Sequence, residues 1–142
     1  MNKILKIIFP AKHKDYYYEL KNWLMKNPNK STKAVYQVKS KTPVPRILTT
    51  DKNGILYIGE ASDFKSRIGK LVNAMNGNEK ESHKPGDNFH RLLSDVHKLE
   101  EVSIEVILTV DHKNVEMEML QKYLNRFGEL PPLNRLIVSQ NE

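Results

Sequence analysis

The chain has 142 residues and a net charge of +6, with 28% charged and 39% hydrophobic residues. This length and balance are typical of one folded domain, and the excess of lysine and arginine favours acidic partners such as nucleic acid. The absence of cysteine excludes disulfide bonds and thiolate metal sites. Because no run approaches 18 apolar residues and no signal-peptide cleavage site follows the N-terminal ILKIIF, we expect no membrane partner and a cytoplasmic location.

The N-terminal part predicts a strand followed by a helix. Residues 4–9 form a short apolar run closed by a proline, which predicts a strand at the edge of a sheet. Apolar residues recur at helical spacing over residues 15–27, and a polar linker follows. We therefore expect residues 1–33 to form a strand-helix extension packed on a domain formed by residues 34–142.

The next segment predicts a β-hairpin and a helix. Residues 34–39 (AVYQVK) alternate apolar and polar and predict a strand, and a long connection with a turn signal leads to a second strand at residues 55–58. Gly59 is expected to break that strand. Ser62 and Asp63 are candidate N-caps for a helix that ends near residue 73 or 75.

The second half predicts a loop and three further elements. Residues 76–88 are polar and glycine-rich and predict a loop, followed by a helix over 89–99 with Leu92 and Val96 on its apolar face. A strand over 102–110, a helix over 115–127 and a short strand at 136–138 complete the pattern. The expected fold class is α/β, with a small, largely antiparallel three-stranded central sheet flanked by helices.

Three basic residues lie near the start of the helix that follows Gly59: Lys65, Arg67 and Lys70. Positive charge at a helix N-terminus interacts unfavourably with the helix dipole and destabilises the helix by roughly 0.3–1 kcal/mol for each residue. Folding does not require basic residues there, so the local conflict indicates a site that meets an anion.

These residues also form a recognisable order of motifs. Tyr36 lies in the first hairpin strand, Tyr57-Ile58-Gly59 ends the second, and Arg67 follows eight residues after the glycine. This order resembles the GIY-YIG nuclease family over about residues 34–136. The resemblance implies a metal-dependent endonuclease that hydrolyses phosphodiester bonds in nucleic acid, with DNA as the expected substrate and one Mg²⁺ or Mn²⁺ as cofactor.

The resemblance also implies a role for each matching residue. Tyr36 and Tyr57 would position the attacking water, and family proposals make the first-strand tyrosine the general base, which requires Arg67 or the metal to lower its pKa. Arg67 would bind the scissile phosphate. The expected contacts to nucleic acid are Gly59, Lys65 and Lys70, and Asn134 is expected to close the core.

Two departures from the family pattern favour a second interpretation. The first motif half reads Ala34-Val35-Tyr36, and Leu71 stands where the family often has histidine or tyrosine. We expect His83 or His90 to supply an imidazole from the 76–88 loop region. If neither does, the alternative is a catalytically inactive nucleic-acid-binding or regulatory module on the same fold.

The metal ligand must be chosen between two glutamates on the helix predicted at 115–127. Residues three and four apart share a helix face, so Glu116 borders the apolar face and Glu118 lies among polar residues. A partly desolvated carboxylate beside the core is suited to a divalent cation. We therefore predict Glu116 as the ligand, with Glu118 as the alternative.

Overall fold

The computed structural model describes residues 5–28, 30–78 and 83–134. Its strands are β1 (Leu5–Pro10), β2 (Ala34–Ser40), β3 (Val44–Pro45), β4 (Thr50–Asp51), β5 (Ile55–Ala61) and β6 (Val102–Leu108). Its α-helices are α1 (His13–Lys26), α2 (Phe64–Met75), α3 (Lys84–Asn88) and α4 (His112–Phe127). The short strand predicted at 136–138 lies outside the described residues. Within the described ranges, no helix has the length and apolar character needed to cross a membrane.

Among the residues that the structure describes, the main sheet contains four antiparallel strands in the order β1-β6-β2-β5. The predicted α/β class and the edge position of the N-terminal strand are confirmed. The sheet has four strands rather than the predicted three because β1 pairs with β6 along its whole length, from Leu5 opposite Leu108 to Pro10 opposite Ser103. The other edge is β5, which carries the Tyr57-Ile58-Gly59 motif.

Helices cover the two faces of this sheet unequally. On one face, α1 and α2 bury a large core that includes Tyr16, Phe64 and Ile68. On the other face, α4 packs Tyr123 and Phe127 against β2 and β5. Because β2 is central and covered on both sides, even the polar positions of its alternating pattern are shielded from solvent.

The helix α2 matches its prediction closely. Asp63 is the N-cap, and its side chain accepts a hydrogen bond from the backbone N–H of Lys65 at 3.2 Å. An N-cap acceptor satisfies one of the free N–H groups at the helix start and is worth about 1 kcal/mol. The helix ends at Met75, within the predicted range.

The segment after residue 83 differs from its prediction. Residues 84–88, predicted as loop, form α3, because His83 caps the segment and Pro85 lies in its first turn. The chain then continues as a π-helix over Phe89–Leu93. The π-helix ends at Leu93, so the helix predicted over 89–99 stops early and the chain continues as turns. Leu92, in the wider π-helical turn, and Val96, beyond the helix end, were predicted to face the core but are 53% and 61% exposed.

Candidate active site

Two tyrosines pack over one glycine on the same face of the hairpin. Tyr36 of β2 lies opposite Gly59 of β5, and Val38 lies opposite Tyr57, so both tyrosines point to one side of the sheet. Their ring centroids are 5.9 Å apart. A Cβ on Gly59 would lie 2.6 Å from Cε2 of Tyr57 and 2.8 Å from the hydroxyl oxygen of Tyr36.

This packing changes the role expected for Gly59. The glycine does not break the strand, because β5 continues through it to Ala61. Gly59 is buried under the two rings, and only a residue without a side chain leaves room for them. Its contribution to the site is therefore the space that it provides.

Arg67 of α2 lies beside the two tyrosines. Burial lowers the pKa of the Arg67 guanidinium, but the adjacent Tyr36 and Tyr57 outweigh that effect and the pKa lies above its usual value. The Tyr36 hydroxyl is fully buried beside Tyr57 and Arg67, and both side chains shift its pKa through hydrogen bonding as well as charge. Neither contact has the geometry of a well-formed hydrogen bond. A buried hydroxyl without a well-formed hydrogen bond is rare and indicates unused hydrogen-bonding capacity.

Both tyrosines keep their protons at neutral pH. Burial raises the pKa of Tyr36, and Tyr57 raises it further, while Arg67 acts in the opposite direction. Burial also raises the pKa of Tyr57. Arg67 thus lowers the pKa of Tyr36 as the sequence suggests, but desolvation outweighs it.

Glu116 approaches the site from the other face of the sheet. It is half-buried, and desolvation followed by the nearby Glu60 raises its pKa, while His112 and Arg67 lower it. Glu118 is exposed on the same helix. Of the two glutamates, Glu116 is therefore the one that lies within electrostatic range of Arg67.

Two residues at the site were not anticipated from the sequence. Glu60 directly follows Gly59 on β5, and its Oε2 lies 2.5 Å from Nδ1 of His112. The helix α4 begins at His112, three residues before its predicted start, which places His112 within the helix rather than before it. The signal available in the sequence was a carboxylate immediately after the Tyr57-Ile58-Gly59 motif.

Of the two candidate loop histidines, His83 is the one near Arg67. Its Nδ1 accepts a hydrogen bond from the backbone N–H of Gly86 at 3.3 Å, and its buried Nε2 has no partner among the described residues. Burial, Arg67 and Lys70 lower the pKa of His83 to about 4. At neutral pH the ring is therefore uncharged, and its acceptor bond at Nδ1 assigns the proton to Nε2.

The second candidate histidine, His90, and the family's usual position, here Leu71, both lie elsewhere. His90 is exposed and packs against Gly77, where a Cβ would lie 2.8 Å from the histidine Cε1. Leu71 is fully buried in the core. The side chain at position 71 thus contributes to packing, and of His83 and His90, His83 is the one whose pKa Arg67 affects.

An open cleft of about 430 Å³ lies beside these residues, formed by the end of β5 and the first two turns of α2. Its lining residues are Glu60, Ala61, Ser62, Asp63, Ser66, Arg67 and Lys70. Two cations and two serine hydroxyls in one cleft can bind phosphate oxygens. Lys65 is half-buried in the first turn of α2 and does not line the cleft.

Asn134 lies at the opposite side of β5 from β2, beside Ile58. It is buried and forms hydrogen bonds with the backbone of the strand that carries Tyr57 and Gly59. Its position agrees with a structural role beneath the site.

The donor set is compatible with a divalent cation that retains water ligands. Among residues 5–28, 30–78 and 83–134, no three histidine, aspartate or glutamate side chains are grouped as a metal site. However, Mg²⁺ is commonly held by one or two carboxylates together with waters and substrate phosphates. Glu116 and Glu60 supply two such carboxylates, and their mutual repulsion raises the pKa of Glu116, which a cation would relieve.

Comparison of the chain with family models, with curated proteins and with solved structures finds no match. The resemblance to the GIY-YIG nucleases therefore depends on the residues and motifs described above.

Proposed function

We propose that the protein is a divalent-metal-dependent endonuclease that hydrolyses phosphodiester bonds in nucleic acid, with DNA as its substrate. In this proposal β2, β5 and β6 form a GIY-YIG-like core to which β1 adds an edge strand. The observation that carries the proposal is the buried hydroxyl of Tyr36, which lies beside the guanidinium of Arg67 without a well-formed hydrogen bond. A phosphate oxygen or an attacking water would satisfy that hydroxyl.

Substrate binding falls to the cations of the cleft. Arg67 offers a planar, permanently charged fork that can bind two oxygens of the scissile phosphate, and Lys70 lies one turn further along the same wall. The charge that develops on the phosphate during hydrolysis strengthens its interaction with Arg67. Arg67 is thus suited to stabilise the transition state more than the bound substrate.

Protonation of the remaining groups defines what they can do. Tyr36 and Tyr57 retain their protons, so they orient the water or a phosphate oxygen by hydrogen bonding. Neutral His83 offers an N–H donor at Nε2 near the same phosphate-binding residues. A Mg²⁺ or Mn²⁺ ion held by Glu116 and Glu60 would lower the pKa of a bound water and offset phosphate charge.

The test is single-turnover cleavage of plasmid and branched DNA with Mg²⁺ or Mn²⁺ at saturating protein. Arg67→Ala should lower the rate constant by ~10²–10³, as loss of a preorganised donor does, with a much smaller loss of DNA affinity. Arg126→Ala is the matched control, because that arginine lies in the last turn of α4, at the opposite end from Glu116. An unchanged rate for Arg67→Ala would contradict the proposal.

The burial of Tyr36 favours one second candidate, a nucleic-acid-binding module without turnover. A tyrosine whose pKa is raised cannot act as a general base at neutral pH. The same assay separates the candidates. DNA binding without nicking in either metal would select the binding module, and Glu116→Gln would then leave all measured properties unchanged.

A further inference from the structure

The contact between Glu60 and His112 joins the strand β5 to the helix α4 beside the cleft. Glu60 lies near the end of the edge strand β5 and lines the cleft, and His112 is the first residue of α4. The 2.5 Å contact between Nδ1 of His112 and Oε2 of Glu60 involves a histidine side chain that is 8% exposed. The contact therefore fixes a carboxylate that would otherwise extend freely from a strand edge.

The spacing along α4 determines what this carboxylate faces. His112 and Glu116 are four residues apart and share one face of the helix. Because His112 is bonded to Glu60, the same helix face brings Glu116 towards Glu60. Burial raises the pKa of Glu116 and Glu60 raises it further, which agrees with this placement of the two carboxylates.

We propose that His112 is a positioning residue that holds Glu60 beside Glu116, so that the two carboxylates bind the divalent cation together. This inference depends on the proposed function for the identity of the cation. By engaging Oε2 of Glu60, the imidazole leaves Oε1 available to the ion. Tyr36 lies on the opposite face of β5 from this pair, but Arg67 is within electrostatic range of Tyr36 as well as of both carboxylates, so all of them border one site.

A simpler account is that the pair only attaches α4 to β5. A pair with that role would contribute to stability, but it would have no effect on the affinity for a metal ion. A pair that positions a ligand affects metal affinity, and outer-shell partners of metal ligands typically change it by 10–100-fold. Metal affinity and thermal unfolding therefore distinguish the two accounts without any measurement of cleavage.

The experiment is titration of the full chain with Mn²⁺, followed by calorimetry or by the electron paramagnetic resonance of free Mn²⁺. His112→Ala and Glu60→Gln should each weaken Mn²⁺ binding by about 10–100-fold, and the double variant should lose little more. His112→Asn should retain most of the affinity, because its amide N–H can replace the donor at Nδ1. The control Glu19→Gln, an exposed change on α1, should bind Mn²⁺ like the unaltered protein.

Thermal unfolding in the absence of metal accompanies each titration. Unchanged Mn²⁺ affinity in His112→Ala and Glu60→Gln would overturn the inference, as would absence of Mn²⁺ binding by the unaltered protein. If His112→Ala does not fold, Glu60→Gln and His112→Asn still distinguish the two accounts, because the new side chain is close in size to the original one in both variants. DNA cleavage is measured separately. If the protein cleaves DNA but His112→Ala binds Mn²⁺ as the unaltered protein does, only the role inferred for His112 is refuted. If the Mn²⁺ affinities change as expected but no cleavage occurs, only the proposed nuclease activity is refuted.

Discussion

Asn134 pairs with the backbone of Ile58 as a neighbouring strand would. Its Oδ1 accepts a hydrogen bond from the Ile58 N–H at 2.9 Å, and its Nδ2 donates to the Ile58 carbonyl at 2.8 Å. Because β5 is an edge strand within the described part of the chain, its outward backbone groups have no strand partner there and must find another. One buried amide side chain thus satisfies both groups in the middle of the Tyr57-Ile58-Gly59 motif.

Asn134→Ala should lower the free energy of unfolding by about 2–4 kcal/mol, since two buried backbone groups lose their partner. Asn134→Asp retains an acceptor for the N–H but places a carboxylate oxygen against the Ile58 carbonyl, so it should also destabilise. Urea unfolding measures both variants. The control is Asn125→Ala, an exposed position on α4, whose free energy of unfolding should remain within about 0.5 kcal/mol of the unaltered protein. If Asn134→Ala destabilises the protein no more than this control, the pairing with Ile58 is contradicted.

Gly59→Ala should destabilise the protein by about 1–3 kcal/mol, because the added methyl group overlaps both tyrosine rings and one ring must move. Any cleavage activity should fall with it. Gly69→Ala is the matched control, because a Cβ at Gly69 of α2 would lie 3.4 Å from the nearest atom, the Tyr17 hydroxyl. Alanine there should be neutral or stabilise by about 0.5–1 kcal/mol through helix propensity. Thermal unfolding of both variants gives the comparison, and equal stabilities would refute the packing argument.

The buried imidazole of His83 should make stability fall in acid. Its pKa is about 4 in the folded protein, against 6.5 as the ordinary value. Between these values the unfolded chain binds a proton that the native state does not, so stability is lost as pH falls from 6.5 to 4. The full loss is about 3 kcal/mol.

His83→Asn isolates this contribution. Asparagine can still accept the N–H of Gly86 at the start of α3, but it does not titrate. Urea unfolding between pH 4 and pH 7 should show a shallower loss of stability in the variant than in the unaltered protein. Identical slopes in the two proteins would show that His83 is not protected from protonation.

Binding to duplex DNA should weaken steeply with salt. Each phosphate contact contributes a slope of about −0.9 to a plot of log K against log salt concentration. Lys70→Ala should therefore make the slope shallower by about 0.9, the value of one phosphate contact. Lys65→Ala tests whether the basic residue outside the cleft also contacts phosphate. Lys98→Ala is the control. Lys98 precedes the start of β6, and the cleft lies beside the other end of that strand. Fluorescence anisotropy at several salt concentrations measures the slopes, and a flat plot would remove nucleic acid as partner.

Local patterns in the sequence were sufficient for several elements. The N-terminal apolar run predicted an edge strand, the alternation of residues 34–39 predicted β2, and Asp63 predicted the start of α2. These features are readable because strand alternation, helical period and N-capping depend on residues within a few positions of one another. The preference for Glu116 over Glu118 used the same helical period.

Other features depended on contacts between distant residues. The sequence alone did not reveal that β1 pairs with β6, that α3 forms within an apparent loop, or that His112 reaches Glu60, 52 residues away. It also suggested that Arg67 lowers the pKa of Tyr36, whereas desolvation in the folded core raises it. Composition and spacing determine which segments form strands and helices, but burial and electrostatic environment exist only after those segments pack, so the protonation of the site was decided by the tertiary structure.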